Sequence, residues 1–281
     1  MRRGVLGLLS AIVLAGAFVP SASALHALTL LFVFAIMAAA WNLVAGLAGV
    51  IDLGLVGFFG LGGYATGLLV AKTGLPFAVA WITGGLLCVG FAILMALALR
   101  RFPAPYFAVA TLAASFALRE VASNWTALTG GDAGLSLPPQ LISARAMYFL
   151  MVGLLTVVLA LTWWIGRHRP ELVPAYAAMG WFVGLVGGAF ACWTGFLDPA
   201  AAFDLGVTVE VIAMAVVGGV GTVGGPLAGA AVLTTLSALL NGYAPNFHLL
   251  ALALLIALFQ WLAPKGLMAA ATAASGYYLR K

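Results

Sequence analysis

The side chains whose types could do chemistry in this chain are few: Asn42, Asp52, Tyr64, Thr111, Glu210 and Thr222. Amides and hydroxyls give and accept hydrogen bonds, and a carboxylate adds charge, so the set suits holding or passing a small polar solute rather than covalent catalysis. Each also has a plainer reading. Asn42, Tyr64, Thr111 and Thr222 can serve as polar ties between helices, worth about 0.6 kcal/mol apiece. Asp52 is the one acidic residue in its Gly-rich stretch. It reads first as a cap on the helix that follows, with an ion or substrate ligand as the sharper alternative. Glu210 is expected to open a short helix, where a carboxylate complements the helix dipole. Arg119 and Glu120 are adjacent and so do not share a helix face; they are expected to pair elsewhere or to snorkel to water.

Signatures of catalysis are missing. His26, His168 and His248 are widely separated and have no metal-ligand spacing. Gly219-Val220-Gly221-Thr222-Val223-Gly224 spells a dinucleotide-binding fingerprint but lies in apolar sequence with no strand–helix unit around it. Lys72-Thr73 follows Ala71, so no phosphate-binding loop of the Walker type is present. Any nucleotide must be bound by another subunit. The reading is of a protein that is not an enzyme and carries no cofactor or metal of its own.

The elements that must position these residues are apolar. The chain has 281 residues, 65% hydrophobic and 7% charged, with a mean hydropathy of +1.18. That leaves too little polar surface for a water-soluble globule, and the apolar segments must face lipid or one another. Apolar runs fall at 4–20, 26–48, 52–71, 75–99, 105–124, 146–166, 175–196, 208–219, 225–241 and 248–263. The expected fold is a single all-α polytopic transmembrane helix bundle over residues 1–281 with about ten crossings. The net charge of +5 does not point to nucleic acid, because the basic residues sit in short loops between spans. With both termini cytoplasmic, Arg2, Arg3, Arg100, Arg101, Arg167, Arg169, Lys265, Arg280 and Lys281 fall inside, and only Lys72, Arg119 and Arg145 outside. Residues 1–24 form either a first span or a signal-peptide-like segment ending in Ala22-Ser23-Ala24. Cys88 and Cys192 lie inside apolar runs and read as small hydrophobes.

Two Gly-rich stretches interrupt the apolar runs. In the first, Gly54, Gly57, Gly60 and Gly63 recur every third residue and form a small-residue ridge. Such a ridge lets helix backbones approach closely, and it reads equally as a packing seam or a path lining. In the second, Gly218, Gly219, Gly221, Gly224, Gly225 and Pro226 separate two short apolar runs, as in a broken helix or tight hairpin. Paired discontinuities, one in each half of a chain, are where transporters often place a substrate path.

Several stretches in order carry a resemblance. They are Ala40-Trp41-Asn42-Leu43-Val44-Ala45-Gly46 running into Asp52-Leu53-Gly54 and Phe58-Phe59-Gly60-Leu61-Gly62-Gly63-Tyr64; Pro105-Tyr106-Phe107-Ala108-Val109-Ala110-Thr111-Leu112-Ala113; and Trp125 to Leu135 around Thr129-Gly130-Gly131-Asp132. Val209-Glu210 through Gly225-Pro226 and Pro264-Lys265-Gly266-Leu267 complete them. The series resembles the branched-chain amino acid ABC importer permeases (the Liv type). The resemblance implies a bacterial inner-membrane permease for branched-chain or related small amino acids, with a urea or amide importer as the nearby alternative. It also implies a second permease subunit, two ATP-binding subunits and an external solute-binding protein, with ATP hydrolysed on those partners.

The chain departs from that family in two places. The family usually has Ser at Asp52 and His at Leu55. It also carries a basic cytoplasmic coupling segment where this chain has only Gly166-Arg167-His168-Arg169-Pro170-Glu171-Leu172-Val173-Pro174. Residues with two prolines in so short a stretch can hardly form a docking helix. Docking is therefore expected to fall on Arg100, Arg101, Arg167 and Arg169, and an uncoupled channel or secondary carrier on the same scaffold is the alternative function.

Overall fold

The computed structural model describes residues 22–138, 141–166, 171–243 and 266–267. In chain order, α1 (Ala22–Asn42) runs into a π-helical turn (Leu43–Ala48), followed by α2 (Leu55–Thr73), α3 (Phe77–Leu99) and α4 (Ala104–Asn124). A short α5 (Thr126–Thr129), a 3-10 turn (Gly131–Ala133) and β1 (Leu135–Ser136) lead to α6 (Ala144–Ile165) and α7 (Leu172–Thr194). Then come β2 (Phe196–Leu197), α8 (Pro199–Ala202), α9 (Leu205–Gly218) and α10 (Gly225–Tyr243). Among the described residues, 6 helical stretches are long and apolar enough to cross a membrane: Ser23–Ala48, Leu55–Thr73, Phe77–Leu99, Ala144–Ile165, Leu172–Thr194 and Pro199–Gly218. The α4 helix matches them in length but is less apolar, and the apolar part of α10 is shorter. The expected spans 4–20 and 248–263 lie outside the described residues, as do Arg167 and Arg169.

The bundle packs small residues inward and large apolar ones outward. Along α3, Ala80, Gly84, Cys88, Ala92 and Ala96 recur every fourth residue and are buried, while Ile82, Leu86, Leu94 and Leu97 are exposed. Lipid solvates large side chains as well as a protein interior does, so helix pairing rests on close backbone approach instead. Cys88 and Cys192 are both buried free thiols, and Cys88 lies on this inward stripe. The buried face of α3 meets α7, where a Cβ on Gly184 would collide with Cys88.

At the heart of the bundle, α7 also crosses α2 at van der Waals contact of backbones. A Cβ on Gly62 would collide with the Gly184 carbonyl, and one on Gly187 with the Phe59 carbonyl. Most of the Gly54 ridge faces elsewhere. Gly54 and Gly57 lie against Thr111 and Ser115 of α4, Gly60 under the Phe203 ring, and Gly63 beside Leu197. The ridge is thus covered along its whole length by protein.

One departure from an all-helical chain is a two-residue antiparallel pair, Leu135 with Leu197 and Ser136 with Phe196. It is extended by the Leu137 N–H donating to the Gly195 carbonyl at 2.9 Å. The two loops satisfy part of their backbone hydrogen bonding by pairing with each other, with Leu135 and Leu137 beside Gly67 of α2.

Gly187→Ala is expected to lower stability by about 1–3 kcal/mol, because the colliding atom is backbone and cannot rotate away. Gly90→Ala, on an exposed helical position with nothing within 4 Å, is expected to be neutral or slightly stabilising. Thermal unfolding of the two variants in the same detergent checks this.

Candidate functional site

A helix that stops inside an apolar bundle leaves unsatisfied backbone groups, and these must find partners in the protein. Residues 49–54, between the π-turn and α2, meet that requirement with bonds from separate helices. Gly49 ends the turn in the left-handed region at φ 75°, with its N–H donating to the Val44 carbonyl. The Trp41 indole N–H of α1 donates to the Asp52 carbonyl at 2.8 Å. The Leu53 N–H donates to Thr111 Oγ1 of α4 at 3.2 Å, and the Val56 N–H to Thr208 Oγ1 of α9 at 3.3 Å. From α7, the Tyr176 hydroxyl donates to Asp52 Oδ1 at 2.8 Å.

Asp52 is not the N-cap residue of α2, although its carboxyl faces the Gly54 N–H. The residue that caps α2 is Gly54, with no side-chain hydrogen bond. The Asp52 side chain is 0% exposed and joins the break to α7. Glu210 also differs from expectation. The α9 helix begins at Leu205 and is capped by Asp204, whose Oδ1 accepts from the Gly206 N–H at 2.9 Å. Glu210 lies beyond the first turn and is half-buried. The sequence placed that helix start too late because it read the apolar run and passed over Asp204, a good N-cap residue.

The second break is a tight helical hairpin. Gly218 packs against the Gly225 carbonyl and Gly229 against the Met214 carbonyl, so α9 and α10 run antiparallel at backbone contact. Thr222 closes the turn: its hydroxyl donates to the Gly219 carbonyl at 2.7 Å and accepts from the Gly225 N–H at 3.0 Å. Gly266, at φ 81°, lies against Gly219.

The two breaks meet at one side chain. Asn42, the last residue of α1 and 0% exposed, accepts from the Gly221 N–H at 2.7 Å through Oδ1. Its Nδ2 donates to the Thr222 carbonyl at 2.9 Å. A Cβ on Gly46 would strike both Asn42 and Gly221, so the contact needs glycine at position 46. Gly221 has φ 80°, a conformation that also favours glycine.

Of the residues singled out by sequence, the structure brings Asn42 to Thr222 and Asp52 to the neighbourhood of Thr111. Thr111 in addition donates to the Ala108 carbonyl at 2.9 Å. Tyr64 belongs to another cluster, where it stacks on Phe203 and its hydroxyl donates to the Leu197 carbonyl at 3.4 Å. Glu120 accepts from Asn124 Nδ2 at 2.7 Å, one turn along its own helix. Arg100 and Arg101 are exposed at the end of α3. Trp41, Tyr176 and Thr208 were missed by sequence reasoning. Their signal was weak, since each lies in an apolar run with no spacing that links it to Asp52.

Comparisons with known proteins bear on this arrangement. A family model described as "Branched-chain amino acid transport system / permease component" matches residues 23–169. The High-affinity branched-chain amino acid transport system permease protein LivM of Escherichia coli (strain K12) is 25% identical, over 89% of this chain and 71% of its own length. The LivM protein of Salmonella typhimurium (strain LT2) is 24% identical over 92% and 72%. No solved structure matches the chain.

Asn42→Ala removes both bonds that join the breaks and is expected to lower stability by about 1–2 kcal/mol. The exposed Asn124→Ala should cost a few tenths at most. Parallel thermal melts of the two variants measure the difference, and equal melting temperatures would show that the Asn42 tie does not stabilise the fold.

Proposed function

The chain belongs to the family of branched-chain amino acid transport permease components, and on that premise we propose that it is the membrane-spanning subunit of an ATP-driven importer for branched-chain amino acids. It is a multi-pass bacterial inner-membrane protein, as the relatives and the apolar spans indicate. In this reading it forms the translocation path with a second permease subunit. An external solute-binding protein delivers cargo, and two ATP-binding subunits supply the work. The full span count of about ten and the cytoplasmic placement of both termini are parts of the same proposal.

The observation that carries the proposal is the Asn42 contact between the two Gly-rich breaks. Discontinuous helices concentrate backbone donors and acceptors where a polar solute must pass, and their short connections can rearrange without unfolding a whole span. Asn42, Asp52, Thr111 and Thr222 surround that joint, with Glu210 on α9 and Tyr64 farther along α2. Gly54, Gly57, Gly60 and Gly63 give α2 the close packing that a sliding helix needs.

The connection between Ile165 and Leu172 favours a second reading. It leaves room only for Gly166 to Glu171 between α6 and α7, with Pro170 among them. By sequence length alone, six residues with a proline are too few for a docking helix. Either Arg100 and Arg101, with Arg167 and Arg169, present the docking surface, or the scaffold works uncoupled as a channel or carrier.

Uptake of labelled leucine into vesicles holding the chain with candidate partner subunits separates these readings. ATP-dependent accumulation, lost in Arg100→Glu/Arg101→Glu together with binding of the ATP-binding subunits, is the expected result. Equilibration of leucine without nucleotide would establish the uncoupled reading instead, and absence of any leucine transport by a verified complex would refute both.

A further inference from the structure

Asp52 brings a carboxyl group to the first break. The group is 0% exposed, and among the described residues its Oδ2 has no hydrogen-bond partner. Its other oxygen accepts from the Tyr176 hydroxyl. Tyr176 is itself sealed in, with the Phe58 and Phe107 rings edge-on to it at centroid distances of 5.4 and 5.5 Å. A charged carboxylate held dry without a cation is costly, and polar burial of this kind in membrane proteins marks ion or proton sites.

The surroundings distinguish between those two occupants. The Thr111 hydroxyl and the Gly54 N–H lie beside the carboxyl. The single hydroxyl hydrogen of Thr111 is committed to the Ala108 carbonyl at 2.9 Å. The same hydroxyl oxygen accepts from the Leu53 N–H at 3.2 Å. A metal cation is poorly served, since Tyr176 and Gly54 turn hydrogens rather than lone pairs toward the carboxyl. Tyr176 of α7 is the titratable group in contact with it. The elements α1, α2 and α4 bring Trp41, Gly54 and Thr111, none of which ionises there. The α9 helix, which carries Glu210, meets the break through Thr208 at Val56.

We propose that Asp52 is a proton-binding site: Oδ2 carries a proton while the break is closed. When the break opens to water, the Oδ2–H bond breaks heterolytically. The electron pair stays on the carboxylate and the proton passes to water. Proton binding is thereby linked to the conformation of the joint, and acid favours the closed form. The site does not depend on ATP coupling, so it can stand or fall apart from the transport function.

The test is infrared spectroscopy of the purified full chain in lipid nanodiscs, titrated with acid and base, for wild type and Asp52→Asn. Free aspartic acid titrates near ~3.9. At pH values well above that, wild type is expected to show the C=O stretch of a protonated carboxylic acid, shifted in D2O and absent from Asp52→Asn. Labelling wild type with 13C-carboxyl aspartate must move the same band, which keeps the test intact if the variant fails to fold. A spectrum with only ionised carboxylate bands over that range would overturn the proposal. So would a carboxylate band that responds to sodium ions at fixed pH, which would assign a metal cation instead.

Discussion

The structure depends on satisfying backbone hydrogen bonds where helices stop inside an apolar bundle. Each interrupted helix exposes amide and carbonyl groups that lipid cannot solvate, at several kcal/mol apiece if left alone. This chain meets the requirement with single side chains, most of them imported from other elements. Trp41, Thr111 and Thr208 serve the first break, Thr222 serves the second, and Asn42 serves the second from the edge of the first. Removing one tie loosens a break without dissolving a helix.

Close packing is what allows such short side chains to reach. Because α2 and α7 touch backbone to backbone at Gly62 and Gly187, Tyr176 of α7 comes within 2.8 Å of Asp52. The Gly54 ridge brings Thr111 against the start of α2 in the same way. The small-residue pattern and the polar ties are thus one device. A larger residue on the seam would separate the helices and break hydrogen bonds that it never touches.

Much of this was legible in the sequence. Composition indicated a membrane bundle, and the apolar runs found the helices closely, as at 146–166 for Ala144–Ile165. Both breaks were visible as Gly-rich interruptions, because glycine spacing is a local property. Their contact was not, since Asn42 and Thr222 lie 180 residues apart and no local pattern joins them. The Tyr176 partner of Asp52 was hidden for a related reason: the position of Asp52 before a helix is local, whereas Tyr176 sits 124 residues away in an apolar run. The glycines of α7 carried a usable signal in the spacing of Gly180, Gly184, Gly187 and Gly188, which sequence reasoning passed over.

The central claim is that the two breaks form one joint. Hydrogen–deuterium exchange of the wild-type chain in lipid nanodiscs tests it most directly, by comparing amides of residues 50–57 with those of 219–225. One joint requires both segments to open together, with matching protection that changes in step as temperature is raised. Protection that differs between the segments, or that is lost in one while the other holds, would mean that each break moves by itself.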